Sequence, residues 1–361
     1  MHIMDRPILV TGGAGFIGSN FILHQLKEPD CTIVNLDKLT YAGNLANLAA
    51  VQHDTRYSFI EGDICDANVL EAIFKRYQPR AVVHFAAESH VDRSIRGADD
   101  FVRTNVLGTV RLLQVARRYW GELDDAFRSF FRFLHVSTDE VFGSLNRDDE
   151  PFHEETRYDP RSPYSASKAA ADHFVRAWSH TYGFPVLLTN CSNNYGPYQF
   201  PEKLIPLSVL TALRGEKIPL YGDGLQIRDW LHVEDHCRAL SIVLRCGQPG
   251  ETYNIGGDSE KTNHEVATRI CRILDEIAPL SDGSTRDDCI KFVGDRPGHD
   301  RRYAVNSSKI KQELSWRPQQ SFEDGLKSTI RWYLANPEWI ASIQTGAYRD
   351  WITTQYEGAA E

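Results

Sequence analysis

A glycine-rich turn near the start of the chain constrains its fold more than any other feature. After a short apolar run and before a helical pattern stands the segment Thr11-Gly12-Gly13-Ala14-Gly15-Phe16-Ile17-Gly18. In such a turn the first glycine permits a tight bend, the second lets a pyrophosphate approach the backbone, and the third lets helix and strand pack closely. We therefore expect Gly12, Gly15 and Gly18 to bind a dinucleotide at the positive end of the helix, rather than to form a turn without a ligand.

An acidic residue follows at the distance that a dinucleotide site requires. Asp37 ends the second apolar run, roughly 20 residues after Gly18. A carboxylate there accepts hydrogen bonds from both ribose hydroxyls and repels a 2′-phosphate, so NAD is favoured over NADP. Lys38 argues weakly against this, because a base at this place tolerates a phosphate. After the third run come Asp63 and Ile64, where we expect the adenine.

The first 190 residues alternate apolar runs with helical patterns, which predicts an α/β fold with a Rossmann-like, doubly wound parallel sheet. The expected strands span 8–11, 31–37, 57–61, 81–85, 131–137 and 185–190, and the expected helices 17–27, 67–77, 100–119 and 165–182. Ligands of such sheets bind at the carboxyl ends of the strands. Ala86 and Ala87 follow the fourth run and are small enough to let a nucleotide approach, although tight packing alone explains them equally well.

The pattern changes after Asn190. Turn-rich segments at 193–198 and 221–224 replace the alternation, although 251–255 predicts another strand and 281–288 a surface loop. We expect 1–190 to form the NAD-binding Rossmann domain, with 228–262 returning to it. Residues 191–227 and 263–361 would then form a smaller C-terminal substrate-binding lobe that closes over the substrate.

A tyrosine and a lysine, Tyr164 and Lys168, are four residues apart and share one face of a predicted helix. The unperturbed pKa of a tyrosine is about 10, which is too high for a base at neutral pH. A nearby ammonium group and a positively charged nicotinamide favour the phenolate and lower that pKa. The pair could then remove a proton from an alcohol, although such pairs are also common surface contacts.

Two adjacent carboxylates follow the predicted strand 131–137. Thr138-Asp139-Glu140 stands at the strand's carboxyl end, where the site is expected. Adjacent carboxylates can divide the acid and base roles when their environments separate the two pKa values. An exposed acidic turn is the plain alternative.

Weaker candidates lie further along the chain. The segment His232-Val233-Glu234-Asp235-His236 lacks the H-E-x-x-H spacing of a zinc site, so we expect a helix start there and no metal. Arg228 and Arg296 have the planar guanidinium that suits a diphosphate, although without further support each such arginine is more often part of a surface ion pair.

The bulk composition excludes several classes. The formal net charge is −9, whereas a nucleic-acid binder carries a basic excess, so no nucleic-acid partner is expected. No apolar stretch reaches the length of roughly 18 residues that a membrane helix needs, and the first strand starts too early for a signal peptide, which predicts a cytoplasmic protein. The seven cysteines are isolated, so we expect neither a disulfide framework nor a zinc site.

These motifs closely resemble those of dTDP-glucose 4,6-dehydratases, a branch of the extended short-chain dehydrogenases/reductases, over nearly the whole chain. The matching segments are VTGGAGFIGSN, LDKLTYAGN, HFAAESHVDRSI, HVSTDEVFG, SPYSASKAAADH, NCSNNYGPYQFPEKLIPL, YGDGLQIRDWLHVEDH and DRPGHDRRY. The glycine turn and the Tyr-Lys pair are shared with sugar epimerases and decarboxylases, whereas the segments around Thr138 and Asn193 are much more specific to the dehydratases. Phe142 and Phe85 depart from the usual Tyr and Leu without touching a proposed reacting atom.

The resemblance implies a reaction in three stages. Tyr164 deprotonates the C4 hydroxyl of the glucose as a hydride passes to NAD. The resulting ketone acidifies the C5 proton, which Glu140 removes while Asp139 protonates the departing C6 hydroxyl. The hydride then returns to C6, which regenerates NAD. Thr138 holds the C4 oxygen, and Lys168 holds the ribose and tunes Tyr164.

The resemblance also implies the binding residues and the partners. NAD would contact Phe16, Ile17, Asp37, Lys38, Thr40, Asp63, Ile64, Ala86, Ala87, Ser89, Thr104, Tyr164, Lys168 and Asn194. The nucleotide sugar would contact Ser89, Thr138, Asn193, Lys203, Leu204, Pro219, Tyr221, Arg228, Asn263, Arg296 and His299. Similar enzymes are homodimers joined through a helix bundle, which the helices 100–119 and 165–182 would form here.

Two alternatives remain at this stage. A nucleotide-sugar epimerase of the same fold would keep the glycine turn and the Tyr-Lys pair, but it does not need Asp139 and Glu140. A non-catalytic NAD-sensing protein has no reason to combine Thr138, Tyr164 and Lys168 with two carboxylates.

Overall fold

The computed structural model of the chain describes residues 5–344. Its strands are β1 (Ile8–Thr11), β2 (Ile33–Asp37), β3 (Tyr57–Glu61), β4 (Ala81–His84), β5 (Arg132–Thr138), β6 (Val186–Cys191), β7 (Asn193–Tyr195), β8 (Ile218–Tyr221), β9 (Ile227–His232), β10 (Thr252–Ile255), β11 (Glu260–Thr262), β12 (Ile290–Val293) and β13 (Arg302–Tyr303). Its helices are α1 (Phe16–Gln25), α2 (Ala67–Tyr77), α3 (Val91–Arg96), α4 (Asp99–Phe101), α5 (Thr109–Glu122), α6 (Asp125–Phe130), α7 (Pro163–Tyr182), α8 (Leu204–Leu213), α9 (Val233–Cys246), α10 (Asn263–Ile277), α11 (Ser308–Glu313), α12 (Phe322–Ala335) and α13 (Pro337–Ile343).

The main sheet has seven parallel strands in the order β10-β6-β5-β4-β1-β2-β3. From β1 the strand order runs outward through β2 and β3 on one side and through β4, β5 and β6 on the other. This change of direction places a crevice at the carboxyl ends of β1 and β4. The predicted Rossmann-like fold is confirmed, and all seven predicted strands form with ends that differ by at most two residues.

Alternate residues of the sheet face opposite helical layers, as the two-residue period of a strand requires. Ile8 and Val10 pack toward α1 and α9, whereas Leu9 packs toward α2, α5 and α7. All three side chains are buried, so the sheet is covered on both faces. The short apolar runs of the sequence are therefore the strands of a central layer.

The helix predicted for 100–119 differs from expectation. Helical structure extends from α4 to the end of α5, but the connecting residues Val102–Gly108 form a π-helical segment. Its Asn105 side chain accepts a hydrogen bond from the backbone of Glu88 at 2.8 Å and donates one to Ser167 at 2.8 Å. This segment thus joins the end of β4 to helix α7.

Helix α7 starts at Pro163, two residues before the predicted boundary. Ser162 caps it by accepting from the backbone of Ser165, whose hydroxyl accepts from the backbone of Ser162 in return. The cap fixes the first turn of the helix, which carries Tyr164.

The smaller lobe is built on two short sheets. Strand β9 pairs with β7, β11 and β13, while β8 pairs with β12. Helices α8, α10 and α12 pack around a second core that includes Val209, Ile270 and Leu326. The segment 228–262 divides between the two units, because β9 and β11 lie in the small sheet while β10 lies in the main sheet and α9 packs on α1. The predicted domain boundary at residue 190 stays a prediction. Residues 345–361, which are predicted to belong to the smaller lobe, lie outside the described residues.

Three further expectations concern the chain as a whole. Helix α9 begins directly after His232, whose ring caps it by accepting from the backbone of Glu234. All seven cysteines are free thiols. Within residues 5–344, none of the helices combines the length and the apolar character that crossing a membrane requires.

Candidate active site

The glycine turn joins β1 to α1, and its glycines have three different surroundings. Gly12 has a φ of +74°, and a Cβ there would lie 2.5 Å from the backbone nitrogen of Ala86. A Cβ on Gly18 would lie 2.3 Å from the Gly12 carbonyl oxygen. A Cβ on Gly15 would lie 3.3 Å from the Gly12 carbonyl oxygen, a wider separation than at the other two glycines, and the φ of Gly15 is an ordinary −76°. Gly15 also lines the cavity described below, so its backbone can meet a pyrophosphate at the first turn of α1.

Asp37 connects the end of β2 to the glycine turn. Its carboxylate accepts hydrogen bonds from the backbone nitrogens of Ala14 and Leu39, both at 2.8 Å. Burial raises the pKa of this carboxyl, and these two bonds oppose the rise. A carboxylate has about four acceptor positions, so lone pairs remain for ribose hydroxyls.

The side chain of Lys38 forms an ion pair with an acidic neighbour. Its ammonium pairs with the carboxylate of Asp63 at 2.9 Å. The positive charge beside Asp37 is thus matched by a negative one, which weakens the sequence-based argument for NADP.

One cavity of about 310 Å³ runs along the carboxyl ends of the main sheet. Every cofactor residue named in the sequence analysis lines it, namely Gly12, Gly15, Phe16, Ile17, Gly18, Asp37, Lys38, Thr40, Asp63, Ile64, Ala86, Ala87, Ser89, Thr104, Tyr164, Lys168 and Asn194. The expected catalytic residues Thr138, Asp139 and Glu140 line the same cavity. The structure therefore brings the dinucleotide candidates and the reactive candidates to one place.

The Tyr-Lys pair lies at the floor of this cavity. Tyr164 and Lys168 are both buried, and the Lys168 ammonium donates to the backbone carbonyl of Val136 at 2.9 Å. In the protein alone, burial and then the charge of Glu140 raise the pKa of Tyr164 well above its usual value, while a hydrogen bond with Thr138 lowers it. Lys168 is not among the groups that lower this pKa, and the lowering expected from Lys168 and nicotinamide stays a prediction.

Asp139 is held in a buried and electronegative position. It directly follows β5, and its Oδ1 accepts a hydrogen bond from the Thr138 hydroxyl at 3.3 Å. Its Oδ2 is buried and has no partner within the described protein. Burial, the charge of Glu140 and the charge of Asp229 raise the pKa of Asp139 well above the usual range. This carboxyl is suited to carry a proton and to donate it into the cavity.

Glu140 has different neighbours. Burial raises its pKa, but the positive charges of Arg296, Lys203 and Arg228 oppose that rise. Arg228 also opposes the rise at Asp139, but Arg296 and Lys203 act mainly on Glu140, so the two carboxyls are in unequal fields. The expected division, with Asp139 as the acid and Glu140 as the base, stays a prediction.

Arg228, on β9, is buried with 5% of its surface exposed. Its guanidinium donates to the backbone carbonyl of Asp300 at 3.0 Å and lies 4.2 Å from the centre of the Tyr303 ring. These contacts orient the planar group without neutralising it, since neither the carbonyl nor the ring carries a formal charge. The positive charge stays available to an anionic ligand.

Asp92, which the sequence analysis did not single out, bridges the two units. Its carboxylate accepts from Arg296 at 3.0 Å and from the Tyr221 hydroxyl at 3.2 Å. The His299 imidazole makes a 2.7 Å bond with Asp295, and burial together with Arg296 lowers its pKa to about 4. Asp92 thus gathers two expected substrate residues that are far apart in sequence.

The expected substrate residues fall into two groups. Ser89, Thr138, Asn193 and Lys203 line the cavity, whereas Leu204, Pro219, Tyr221, Arg228, Asn263, Arg296 and His299 lie outside its lining. The second group belongs to the smaller lobe, where Leu204 and Asn263 are the first residues of α8 and α10. Their roles stay predictions.

Two other residues of the site escaped the sequence analysis. A Cβ on Gly13 would lie 2.3 Å from Asn35 Oδ1, which accepts a hydrogen bond from the Gly13 nitrogen at 3.1 Å. The carboxylate of Glu202 lines the cavity and pairs with Arg93 at 3.4 Å. Gly13 could have been found in the sequence, because it is a fourth glycine in the turn. Glu202 has no such signal, and only the fold places it at the cavity.

A glycine turn of this geometry, an acidic residue at the end of β2 and a Tyr-Lys pair on α7 define an extended short-chain dehydrogenase/reductase. The model of the family described as GDP-mannose 4,6 dehydratase matches residues 9–329. The dTDP-glucose 4,6-dehydratase of Salmonella typhimurium is 55% identical over 359 residues, which cover 97% of this chain and 99% of that protein. The chain belongs to the dTDP-glucose 4,6-dehydratases, within the extended short-chain dehydrogenase/reductase family.

Solved structures agree with this assignment. The dTDP-glucose 4,6-dehydratase of Bacillus anthracis, in complex with NAD, is 47% identical with a TM-score of 0.83, covering 94% of this chain and 100% of that one. The enzyme of Streptomyces venezuelae, with NAD and TYD bound, gives the same identity, TM-score and coverage.

Proposed function

We propose that this chain converts dTDP-glucose into dTDP-4-keto-6-deoxyglucose and water, with NAD as a bound cofactor. The observation that carries the proposal is the pair Asp139 and Glu140 at the end of β5. Burial and like charge favour the protonated form of Asp139, while three cations oppose the rise in the pKa of Glu140. An acid and a base side by side, next to a Tyr-Lys pair, fit an elimination that follows an oxidation.

The cavity suits NAD on observations of the chain itself. The cavity-lining backbone of Gly15 and the remaining acceptor positions of Asp37 match a pyrophosphate and a ribose diol. When bound, NAD supplies the chemistry of hydride transfer, taking a hydride from C4 and returning it at C6. Lys168 and Asn194 would hold its nicotinamide half, and Asp63 and Ile64 its adenine.

The protein's own task is to move protons at three sugar atoms. Tyr164 takes the C4 hydroxyl proton, with Thr138 holding the C4 oxygen. Glu140 takes the C5 proton and later gives it back to the same carbon. Asp139 gives its proton to the C6 hydroxyl, which leaves as water. After one turnover Tyr164 has gained a proton and Asp139 has lost one, so the protein's total number of protons is unchanged. The starting state returns when Tyr164 has released a proton and Asp139 has taken one up.

The smaller lobe supplies the positive charge for the substrate's diphosphate. The chain as a whole is acidic, so local cations must bind this anion against an unfavourable mean field. Arg228 and Arg296 carry planar guanidinium groups that pair with phosphate oxygens bidentately. Their charges also act on Glu140. The groups proposed to bind the diphosphate therefore also influence the pKa of the proposed base.

We further propose a homodimer joined through the helices that flank the cavity. The π-helical segment and α7 expose the apolar side chains Val102, Leu107, Phe174 and Tyr182, each with 40–56% of its surface accessible. A second copy would bury them in a four-helix interface. Light scattering should give twice the chain mass, and Leu107→Lys should lower it. The cytoplasmic location expected from the sequence stays a prediction.

Incubation with dTDP-glucose followed by mass analysis tests the proposed reaction. The product should have lost one water. Substrate carrying deuterium at C4 should yield product with deuterium at C6, because the hydride is borrowed and returned. Tyr164→Phe is the matched control and should leave the substrate unchanged. A product with the mass of the substrate, as an epimerase gives, would exclude the proposal.

A further inference from the structure

A side chain near the end of the described chain contacts the surroundings of the glycine turn. The indole nitrogen of Trp339, on α13, donates a hydrogen bond of 2.7 Å to Oδ1 of Asn47. Both residues are buried, with 8% and 2% of their surfaces exposed. This contact joins two residues that are almost 300 positions apart in sequence.

The other end of the Asn47 amide holds the glycine turn itself. Its Nδ2 donates to the carbonyl oxygen of Ala14 at 2.9 Å, and the backbone nitrogen of Asn44 donates to the same oxygen at 3.0 Å. The nitrogen of Ala14 is bound by Asp37 at 2.8 Å. Ala14 is therefore fixed on both sides, in the middle of the turn.

The chemistry of the indole sets the orientation of the Asn47 amide. An indole N–H can only donate, so it requires an acceptor, and Oδ1 is the only acceptor that an asparagine side chain has. With Oδ1 facing Trp339, the NH₂ group must face Ala14. If the amide turned over, its oxygen would meet the Ala14 carbonyl oxygen, and a donor would meet a donor at the indole.

The carbonyl of Ala14 and the nitrogen of Gly15 belong to the same peptide group. Gly15 is the N-cap of α1 and, because it has no side chain, it supplies no capping hydrogen bond. The first N–H groups of a helix lack partners within it and are the groups that bind a pyrophosphate. The direction of the Ala14–Gly15 peptide thus sets how these groups are presented.

We infer that Trp339 and Asn47 are positioning residues that align the glycine turn for NAD, so that helix α13 helps to set the affinity for the cofactor. Trp339 is itself held by aromatic contacts with Trp332 at 5.0 Å and Tyr198 at 6.0 Å. A phenyl ring can keep such ring contacts, so the Trp339 N–H that donates to Asn47 is the group that carries the alignment into the Rossmann unit. The inference rests on the proposed NAD site.

Titration of NAD-free full-length protein with NAD tests the inference, with Trp339→Phe as the main variant. It removes the donor and keeps an aromatic ring. The matched control is Trp332→Phe, which makes the same change in the same cluster. Losing one buried hydrogen bond should raise the Kd for NAD about three- to tenfold in Trp339→Phe. Trp332→Phe should bind NAD like the wild type. At saturating NAD, kcat and the KM for the nucleotide sugar should stay unchanged in both.

A double variant guards against a general loss of stability. Asn47→Leu keeps the branching of the side chain at Cγ but has no donor, and it should weaken NAD binding at least as much as Trp339→Phe. If Trp339 acts through Asn47, the double variant should match Asn47→Leu alone. Effects that multiply, or equal Kd values for Trp339→Phe and Trp332→Phe, would overturn the inference. Binding of NAD by the wild type in the same titration tests the cofactor assignment separately.

Discussion

Asp139 and Glu140 are neighbours in the chain, yet different charges act on them. Asp139 faces the carboxylates of Glu140 and Asp229, and its Oδ2 has no protein partner among the described residues. Burial raises the pKa of Glu140, but the positive charges of Arg296 and Lys203 oppose that rise. The end of one strand thus offers an acid and a base on adjacent residues, which is the arrangement that loss of water requires.

The glycines of the turn should respond differently to alanine. Gly15→Ala should leave the unfolding free energy of the NAD-free protein within about 1 kcal/mol of the wild type, because its φ of −76° suits alanine. Its Kd for NAD should rise by more than about tenfold, since the methyl group occupies the pyrophosphate's space. Gly12→Ala should lower the unfolding free energy by about 1–3 kcal/mol, because its φ is +74°. Urea unfolding and NAD titration check both, and a Gly15→Ala protein with unchanged NAD affinity would refute the assignment.

The choice of coenzyme should depend on the pair Lys38 and Asp63. Wild-type protein should bind NADP much more weakly than NAD, because Asp37 repels the 2′-phosphate. Asp63→Asn frees the Lys38 ammonium and should lower the ratio of the Kd for NADP to the Kd for NAD by roughly threefold. This is the size of effect expected for a partly exposed ion pair. Lys38→Ala is the control and should not improve NADP binding. Equal affinities of the wild type for the two coenzymes would contradict the role of Asp37.

Arg228→Ala should affect binding more than turnover. A charge-assisted contact to the diphosphate is the same in the ground state and the transition state, so its loss raises KM. We expect an increase of about ten- to a hundredfold in the KM for dTDP-glucose and a much smaller change in kcat. Arg301→Ala removes an exposed arginine that pairs with Asp223 and serves as the control. A loss confined to kcat would assign Arg228 to the chemistry instead.

Acid should destabilise the protein partly through His135. Burial and then the charge of Lys168 lower its pKa to about 4, although the ring shares a 3.1 Å hydrogen bond with Asp172. In the unfolded chain its pKa is about 6.5, so between pH 6.5 and 4 the unfolded state binds the proton and the folded state does not. Stability therefore falls as the pH is lowered through this window, by about 2 kcal/mol between pH 7 and pH 5 from this residue.

Urea unfolding at pH 7 and pH 5 measures this effect. His135→Asn keeps a polar group at the position and should lose less stability than the wild type over the same interval. Equal losses in the two proteins would show that the folded-state pKa of His135 is not lowered.

The main sheet and the cofactor cavity could be predicted because their signals are local. Buried parallel strands appear in the sequence as continuous apolar runs. The glycine turn appears as a spacing of glycines between a strand and a helix, which few sequences contain by chance. The tyrosine and lysine of α7 are one helical turn apart, so their common face follows from spacing alone. Each of these features is decided within a few residues of the chain.

The features that escaped prediction depend on contacts between distant segments. Asp92 acquires its role only because Arg296, more than 200 positions later, reaches its carboxylate. Strand β9 mixes polar and aromatic residues without a clear alternation, and it is a strand because it pairs on both sides within the smaller lobe. The link from Trp339 to Asn47 is likewise a product of tertiary structure.

Single-turnover absorbance near 340 nm tests the central claim, which is that Asp139 and Glu140 carry out the elimination. Oxidation at C4 needs Tyr164 and Lys168 but neither carboxylate. Asp139→Asn keeps the shape of the side chain and cannot donate the proton, so elimination should slow by about 10²–10⁴-fold. Bound NADH should then accumulate, whereas Tyr164→Phe should give no signal because its block precedes hydride transfer. A substrate with a better leaving group at C6 should partly rescue Asp139→Asn only. If neither variant accumulates NADH and neither is rescued, the carboxylate pair does not perform the elimination.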